Sequence, residues 1–290
     1  MIYTVTLNPA IDCLMRVGRL DEGATNRASE QRLAFGGKGI NVSRALARLG
    51  VPSVALGFAA GFTGEAIVAS LADEPLITAG FIMLREGVSR VNVKLRAGAE
   101  TEINAPGPAP SPEEAEELLD RLGALGEGDV AVFSGSLPEG LPSDFYALAV
   151  ARVSERGARA AVDTSGAALT ACLPLRPFLI KPNRREAEEI FGAGADPADC
   201  ARRFREAGAR NVLLSLGADG AVFAGEDGEV VSLPAEPCAE GAFTVGAGDA
   251  MLAGFLAGEG RGADFALKLA MSSALPRRQS ANDEFRLRGT

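Results

Sequence analysis

Short apolar, β-branched runs recur at residues 2–7, 54–57, 130–133, 160–163, 178–181, 212–216 and 221–224, separated by longer amphipathic stretches. Runs of about four to eight such residues have strand length, not helix length. Strands that alternate with helix-length segments predict a mostly parallel sheet with helices on both faces. The helix signals agree. Ser111-Pro112-Glu113-Glu114 is a capping box with proline at the first helical position, and Leu118, Leu119, Leu122 and Leu125 follow at core spacing. Asp196-Pro197 opens a second helix with Ala198, Ala201 and Phe204 on one face. Residues 39–49 supply a third, with Val42, Leu46 and Leu49 inward. Ligands of such sheets bind at the carboxyl ends of the strands.

Two segments break this pattern. Residues 11–34 read as irregular, with room for short strands. Residues 88–96 alternate strictly, with Val91, Val93 and Leu95 facing one way and Arg90, Asn92 and Lys94 the other. One apolar and one polar face marks a half-exposed strand. Together the two segments predict a small lid sheet over the strand ends. No internal repeat or low-complexity linker interrupts the chain.

Composition narrows the chemistry. The 290 residues can bury one large core or two modest ones. A net charge of −9 without a Lys/Arg run argues against nucleic acid or an anionic membrane surface as partner. A phosphorylated substrate would then depend on a few specific cations. The four cysteines, Cys13, Cys172, Cys200 and Cys238, form no CxxC pair and fit the reduced thiols of a cytosol. Met1-Ile2-Tyr3-Thr4-Val5 reads as a strand and not as a signal peptide, and no apolar run reaches transmembrane length. The expected location is cytoplasmic. Histidine is absent, which excludes Ser-His-Asp and Cys-His catalysis and most zinc sites. Any general base must be a carboxylate, lysine, tyrosine or cysteine.

The stretch richest in chemistry is Gly246-Ala247-Gly248-Asp249, which runs into Met251, Leu252 and Phe255 at helical spacing. Glycines let backbone N–H groups approach a ligand, and a helix start adds a partial positive charge suited to a phosphate in transfer. Asp249 on the same turn could take the proton of an attacking hydroxyl. Alone, the motif also reads as a glycine C-cap followed by an N-capping Asp. Asp12 follows the first strand, where a carboxylate can hold two sugar hydroxyls or serve only as a turn residue. Gly36-Gly37-Lys38-Gly39-Ile40-Asn41 opens a helix as a candidate cradle without Walker A spacing. Arg27 and Arg90 are isolated cations suited to bidentate phosphate contacts, or simply to a solvated face. Asn183 and Glu186 lie one helical turn apart after Lys181 and can face one cation or its waters. Residues 215–220, Ser215 to Gly220, are a glycine turn between strands that could wrap a nucleotide or be a plain hairpin.

In this order the motifs resemble the ribokinase-like sugar kinases of the phosphofructokinase B family, over about residues 2–270. Thr6-Leu7-Asn8-Pro9-Ala10-Ile11-Asp12, Asn26-Arg27, Ser134-Gly135-Ser136-Leu137-Pro138, Asp163-Thr164-Ser165-Gly166 and Lys181-Pro182-Asn183 look most like the members that phosphorylate fructose 1-phosphate. The resemblance implies a doubly wound α/β domain (1–10, 35–87 and 105–290) with a β lid (11–34 and 88–104). It implies ATP-dependent conversion of fructose 1-phosphate to fructose 1,6-bisphosphate. Tagatose 6-phosphate or fructose 6-phosphate kinase activity, or a non-catalytic sugar-phosphate binder on this scaffold, are the alternatives. It assigns Asp249 as base and Gly246, Ala247 and Gly248 as the anion hole. Asp12, Gly37, Lys38, Asn41 and Ser136 would hold the sugar, with Arg27 and Arg90 near its phosphate. Lys181, Asn183, Ser215, Gly217 and Gly220 would line the ATP site, and Asn183 with Glu186 would organise Mg2+ through water. A homodimer formed through the lid is also implied. The tail after residue 276 departs from the family pattern, and we expect it not to rebuild a closing helix over the adenine.

Overall fold

The computed structural model describes residues 1–235 and 246–275. Strand β1 (Ile2–Thr6) is followed by β2 (Ala10–Arg16), β3 (Glu30–Gly36), helix α1 (Lys38–Arg48), β4 (Ser53–Ala60), α2 (Gly61–Ala69) and β5 (Ile77–Leu84). A hairpin of β6 (Arg90–Ala97) and β7 (Ala99–Ile103) precedes α3 (Pro112–Gly123), β8 (Val130–Ser134), α4 (Phe145–Ser154), β9 (Arg159–Asp163) and α5 (Gly166–Cys172). The chain continues through β10 (Leu179–Ile180), α6 (Arg184–Phe191), α7 (Pro197–Glu206), β11 (Val212–Ser215), β12 (Ala221–Ala224) and β13 (Val230–Leu233). Helices α8 (Ala247–Gly258) and α9 (Ala263–Ser273) close the described part.

Among the described residues, nine strands form the main sheet in the order β13-β12-β11-β10-β9-β8-β1-β4-β5. All neighbours are parallel except β11 with β12 and β12 with β13. The fold is therefore the doubly wound, mostly parallel α/β sheet that the alternation predicts. The two-residue period of a strand sends successive side chains to opposite faces. In β8, Ala131 and Phe133 join the core under α3, α4 and α5, whereas Val130 and Val132 join the core under α1, α8 and α9. Leu118, Leu119 and Leu122 on α3, and Leu125 just after its end, are all buried, and the Ser111–Glu114 capping box closes in both directions.

β2, β3, β6 and β7 form a separate four-stranded sheet, β3-β2-β6-β7. Here the chain is more regular than its sequence suggests: β2 and β3 pair over their full length from Ala10 opposite Gly36 to Arg16 opposite Glu30. Half-buried Leu14 and Met15 obscure the alternation of buried Ile11 and Cys13, which hides the strand period. β5 and β13 also carry no clear period-two signal. Both are edge strands of the main sheet, with mixed exposure.

Candidate active site

Two helices begin at the carboxyl ends of the central strands. Thr6, the last residue of β1, accepts a hydrogen bond on its hydroxyl from the Ile40 amide at 3.0 Å, which anchors the first turn of α1. The approach is close enough that a β-carbon at Gly37 would lie 2.5 Å from Thr6 Cγ2, at a φ of 151°. One at Gly39 would lie 2.8 Å from the Val5 carbonyl. Only glycine fits such contacts. α8 starts at Gly246 in the left-handed region, and no side chain among the described residues caps its first amides. Those amides are the groups a helix start offers to an anion.

Asp249 lies in that first turn and is buried. Asn41 on α1 donates a hydrogen bond from Nδ2 to Asp249 Oδ2 at 2.9 Å, joining the two helix starts. Burial, and then the neighbouring Asp163 charge, push the Asp249 carboxyl up to about 6. The Asn41 hydrogen bond and the Lys181 and Lys38 charges oppose that rise. A carboxyl in this range is charged at neutral pH yet keeps a useful affinity for a proton.

Asp163 ends β9 and receives both Lys38, at 3.4 Å, and Lys181, at 3.3 Å, on Oδ1. Its Oδ2 is buried without a hydrogen-bond partner among the described residues. Burial works to lower the Lys38 pKa, but Asp163, Asp249 and Glu186 outweigh it and hold the ammonium above its ordinary value. The Lys181 ammonium also reaches the start of α8, where a β-carbon at Gly248 would lie 3.0 Å from it. In the sequence Asp163 stands out only as part of Asp163-Thr164-Ser165-Gly166, with no role of its own. Its signal was an acidic residue at the carboxyl end of a buried strand.

A cleft of about 280 Å³ opens beside these groups, lined by Asn8, Gly37, Lys38, Arg90, Ser134 and Ser136 among others. Asn8 Oδ1 and Ser134 Oγ are further buried polar atoms without a partner among the described residues. Arg90 reaches the rim, where its guanidinium donates to the carbonyls of Asn8 and Ala105 at 3.2 and 3.4 Å. On the small sheet, Asp12 accepts from Asn92 Nδ2 at 2.9 Å and pairs with Lys94 at 3.2 Å. The three residues share one face, through the register that sets Asp12 opposite Asn92.

Other candidates lie differently. Arg27 sits on the exposed connection between β2 and β3, beyond the Arg16–Glu30 end of that sheet, and does not line the cleft. Gly220 is explained by packing: at a φ of 98°, a β-carbon would meet the Leu233 carbonyl of β13 at 2.0 Å. Gly217, in the same turn, faces open space. Ser215 donates to the Pro182 carbonyl at 3.4 Å and bridges to Asn183. Asn183 and Glu186 cap α6 reciprocally, each side chain accepting from the other's amide at 2.9 Å. This occupies Glu186 Oε2. No cluster of three or more metal-ligating side chains occurs among the described residues. Thr244, Val245, Cys238 and the tail from 276 lie outside the described residues.

Residues 5–275 match the pfkB family carbohydrate kinase model. The 1-phosphofructokinase of Bacillus subtilis is 43% identical over 262 residues, covering 89% of this chain and 85% of that protein. The D-tagatose-1-phosphate kinase of Bacillus licheniformis is 34% identical, covering 88% of this chain and 84% of its own. Phosphofructokinase-2 from Escherichia coli, solved in complex with fructose-6-phosphate, superposes with a TM-score of 0.85 at 28% identity, covering 94% and 92% of the two chains. The buried carboxylate at a helix start, the paired lysines and the family match over nearly the whole chain agree: this chain belongs to the pfkB family of carbohydrate kinases.

Proposed function

We infer that the chain transfers the γ-phosphoryl group of ATP to the 6-hydroxyl of fructose 1-phosphate, giving fructose 1,6-bisphosphate and ADP. The similarity to the Bacillus subtilis 1-phosphofructokinase supports the choice of sugar. The observation that carries the chemistry is Asp249, fixed by Asn41 at the open first turn of α8. In this reading Asp249 accepts the proton of the attacking hydroxyl, and the amides of Gly246, Ala247 and Gly248 receive the charge that builds on the phosphoryl oxygens. Lys38 and Lys181, held by Asp163 on either side, add positive charge along the same path. The sugar lies in the cleft against Gly37 and Ser136, with Arg90 toward its phosphate. Asn41, bonded to Asp249, and Asp12, on the small sheet, do not line the cleft; in this reading they meet the sugar hydroxyls from beside it. Arg27, which stands away from the cleft, is not assigned to it.

Lys181, Asn183, Ser215 and Gly217 form the nucleotide side of this reading, Gly217 because open space over its Cα admits a close ligand. Mg2+, carried on the ATP phosphates, would offset their charge. The orphaned Asp163 Oδ2 and the remaining Glu186 oxygen suit its hydration shell, which needs few direct protein ligands. No described helix is long and apolar enough to cross a membrane; a cytoplasmic location is part of the proposed reading. Exposed Leu33, Val91 and Ile103 on the small sheet suit a homodimer made through that sheet.

Tagatose 1-phosphate is a second reading, favoured by the Bacillus licheniformis relative. An ADP-coupled assay across fructose 1-phosphate, tagatose 1-phosphate, fructose 6-phosphate, tagatose 6-phosphate and fructose separates these cases. The highest kcat/KM is expected with fructose 1-phosphate. A higher value with another acceptor overturns the substrate assignment. Sugar-phosphate binding without turnover would make the chain a binder on this scaffold.

A further inference from the structure

A second cavity, of about 460 Å³, lies at the opposite end of the sheet, at the amino ends of β9, β10 and β11. Its walls include Arg159, Arg176, Phe178, Arg210 and Glu226. The Arg210 guanidinium holds Glu226 through two bonds of 2.9 and 2.8 Å. Arg159 pairs with Glu259 and stacks over the Phe178 ring at 4.3 Å. Glu226 is acidified by the Arg210 hydrogen bond and by the charges of Arg210, Arg176 and Arg205, against burial. Three guanidinium groups, those of Arg159, Arg176 and Arg210, thus line the cavity with a single carboxylate, Glu226, in a chain whose net charge is −9.

Arg176 differs from the others. Its side chain makes no hydrogen bond or ion pair among the described residues, and it is exposed. Its backbone is left-handed, with φ and ψ both 55°, just after the short turn Leu173–Leu175. It is the one described non-glycine residue with a positive φ. Glycine or asparagine normally takes such a position, because a bulky L residue there is strained. No local bond from the Arg176 side chain offsets that strain. Unfavourable backbone kept at a ligand contact is a recurring pattern. A cavity of this volume is within the usual range for small-molecule sites.

We propose that this cavity binds a phosphate group, free or as a small phosphate ester, with Arg176 as its anchor and the fixed guanidinium groups of Arg159 and Arg210 beside it. The site is separate from the catalytic cleft and does not rest on the choice of sugar. Glu226 and Glu259 hold Arg210 and Arg159 in place while leaving some of their N–H donors free for the anion.

Calorimetric titration at constant ionic strength tests this, with inorganic phosphate in one arm and glycerol 3-phosphate in the other. The proteins are the wild type, Arg176→Gly, Arg176→Asn and Lys38→Ala. Both Arg176 variants suit the left-handed backbone, so they should fold with an unchanged or slightly higher Tm. Binding should weaken about tenfold or more in them, the loss of a charge-assisted hydrogen bond. Lys38→Ala, altered in the cleft, should keep it. Binding of both compounds indicates an ester site, and binding of inorganic phosphate alone indicates a free-phosphate site. Binding that is unaffected in the Arg176 variants, lost in Lys38→Ala, or absent from the wild type overturns the proposal.

Discussion

Replacing Asp249 with asparagine should make the protein more stable while it stops the chemistry. The Asp249 carboxyl moves from an ordinary 3.8 to about 6, with burial as the first cause and Asp163 as the second. A raised carboxyl pKa means that the folded state holds its proton over a range where the unfolded chain has released it. Stability therefore falls as pH rises from about 4 to about 6, and the penalty is full above that. A shift of about two pKa units corresponds to about 3 kcal/mol. Asparagine is neutral and keeps an oxygen that can accept from Asn41, so Asp249→Asn removes the penalty without losing the 2.9 Å bond. At pH 8 the variant should gain roughly 5–10 °C in Tm, from the usual few degrees per kcal/mol in a chain of this size. At pH 4 the gain should nearly vanish. Differential scanning calorimetry of both proteins from pH 4 to 8 gives the difference directly. A variant that is less stable at pH 8, or a gain that does not depend on pH, would refute the charged, buried carboxylate on which the reasoning rests.

Further tests probe the surrounding groups. Asp163→Asn removes a charge that raises the Asp249 pKa, so the acidic limb of the kcat/KM profile should move to lower pH; movement to higher pH would contradict the coupling. Asn41→Ala removes a bond that favours the charged Asp249, so the same limb should move to higher pH, read from the same profiles. Arg90→Ala should raise KM for the sugar phosphate about ten- to a hundred-fold with little change in KM for ATP; equal effects on the two would contradict a role at the sugar. Leu122→Ala, at a fully buried position on α3, should cost about 2–5 kcal/mol in chemical denaturation and leave both KM values unchanged.

The parts of this fold that were readable in the chain are those where one local rule acts alone. The central strands are buried on both faces, so they read as continuous apolar runs, and the Ser111–Glu114 box marks a helix start by chemistry that is complete within four residues. The small sheet was harder because its strands are half-covered, and Leu14 and Met15 blur the period set by Ile11 and Cys13. At the site, sequence brought forward the groups with distinctive neighbours: Asp249, Lys38 and Asn41. Asn183 and Glu186 read there only as partners of one cation or its waters, but the same three-residue spacing also serves a capping box, and the side chains do cap α6. Sequence could not separate a nucleotide turn from a packing requirement at Gly220, which depends on β13 and its Leu233 carbonyl. The meeting of Lys38, Lys181 and Asp163 joins three distant segments, so nothing local announces it.

The most direct test of the account is turnover of fructose 1-phosphate with ATP, with the product identified by 31P NMR, for the wild type and Asp249→Asn side by side. The wild type should add a second phosphate at the 6-position. The variant should fall in kcat by about a hundred- to ten-thousand-fold, the usual loss when a general base is removed, while calorimetry still finds the sugar phosphate bound. Near-normal turnover in Asp249→Asn, or a wild-type product phosphorylated elsewhere, would contradict it.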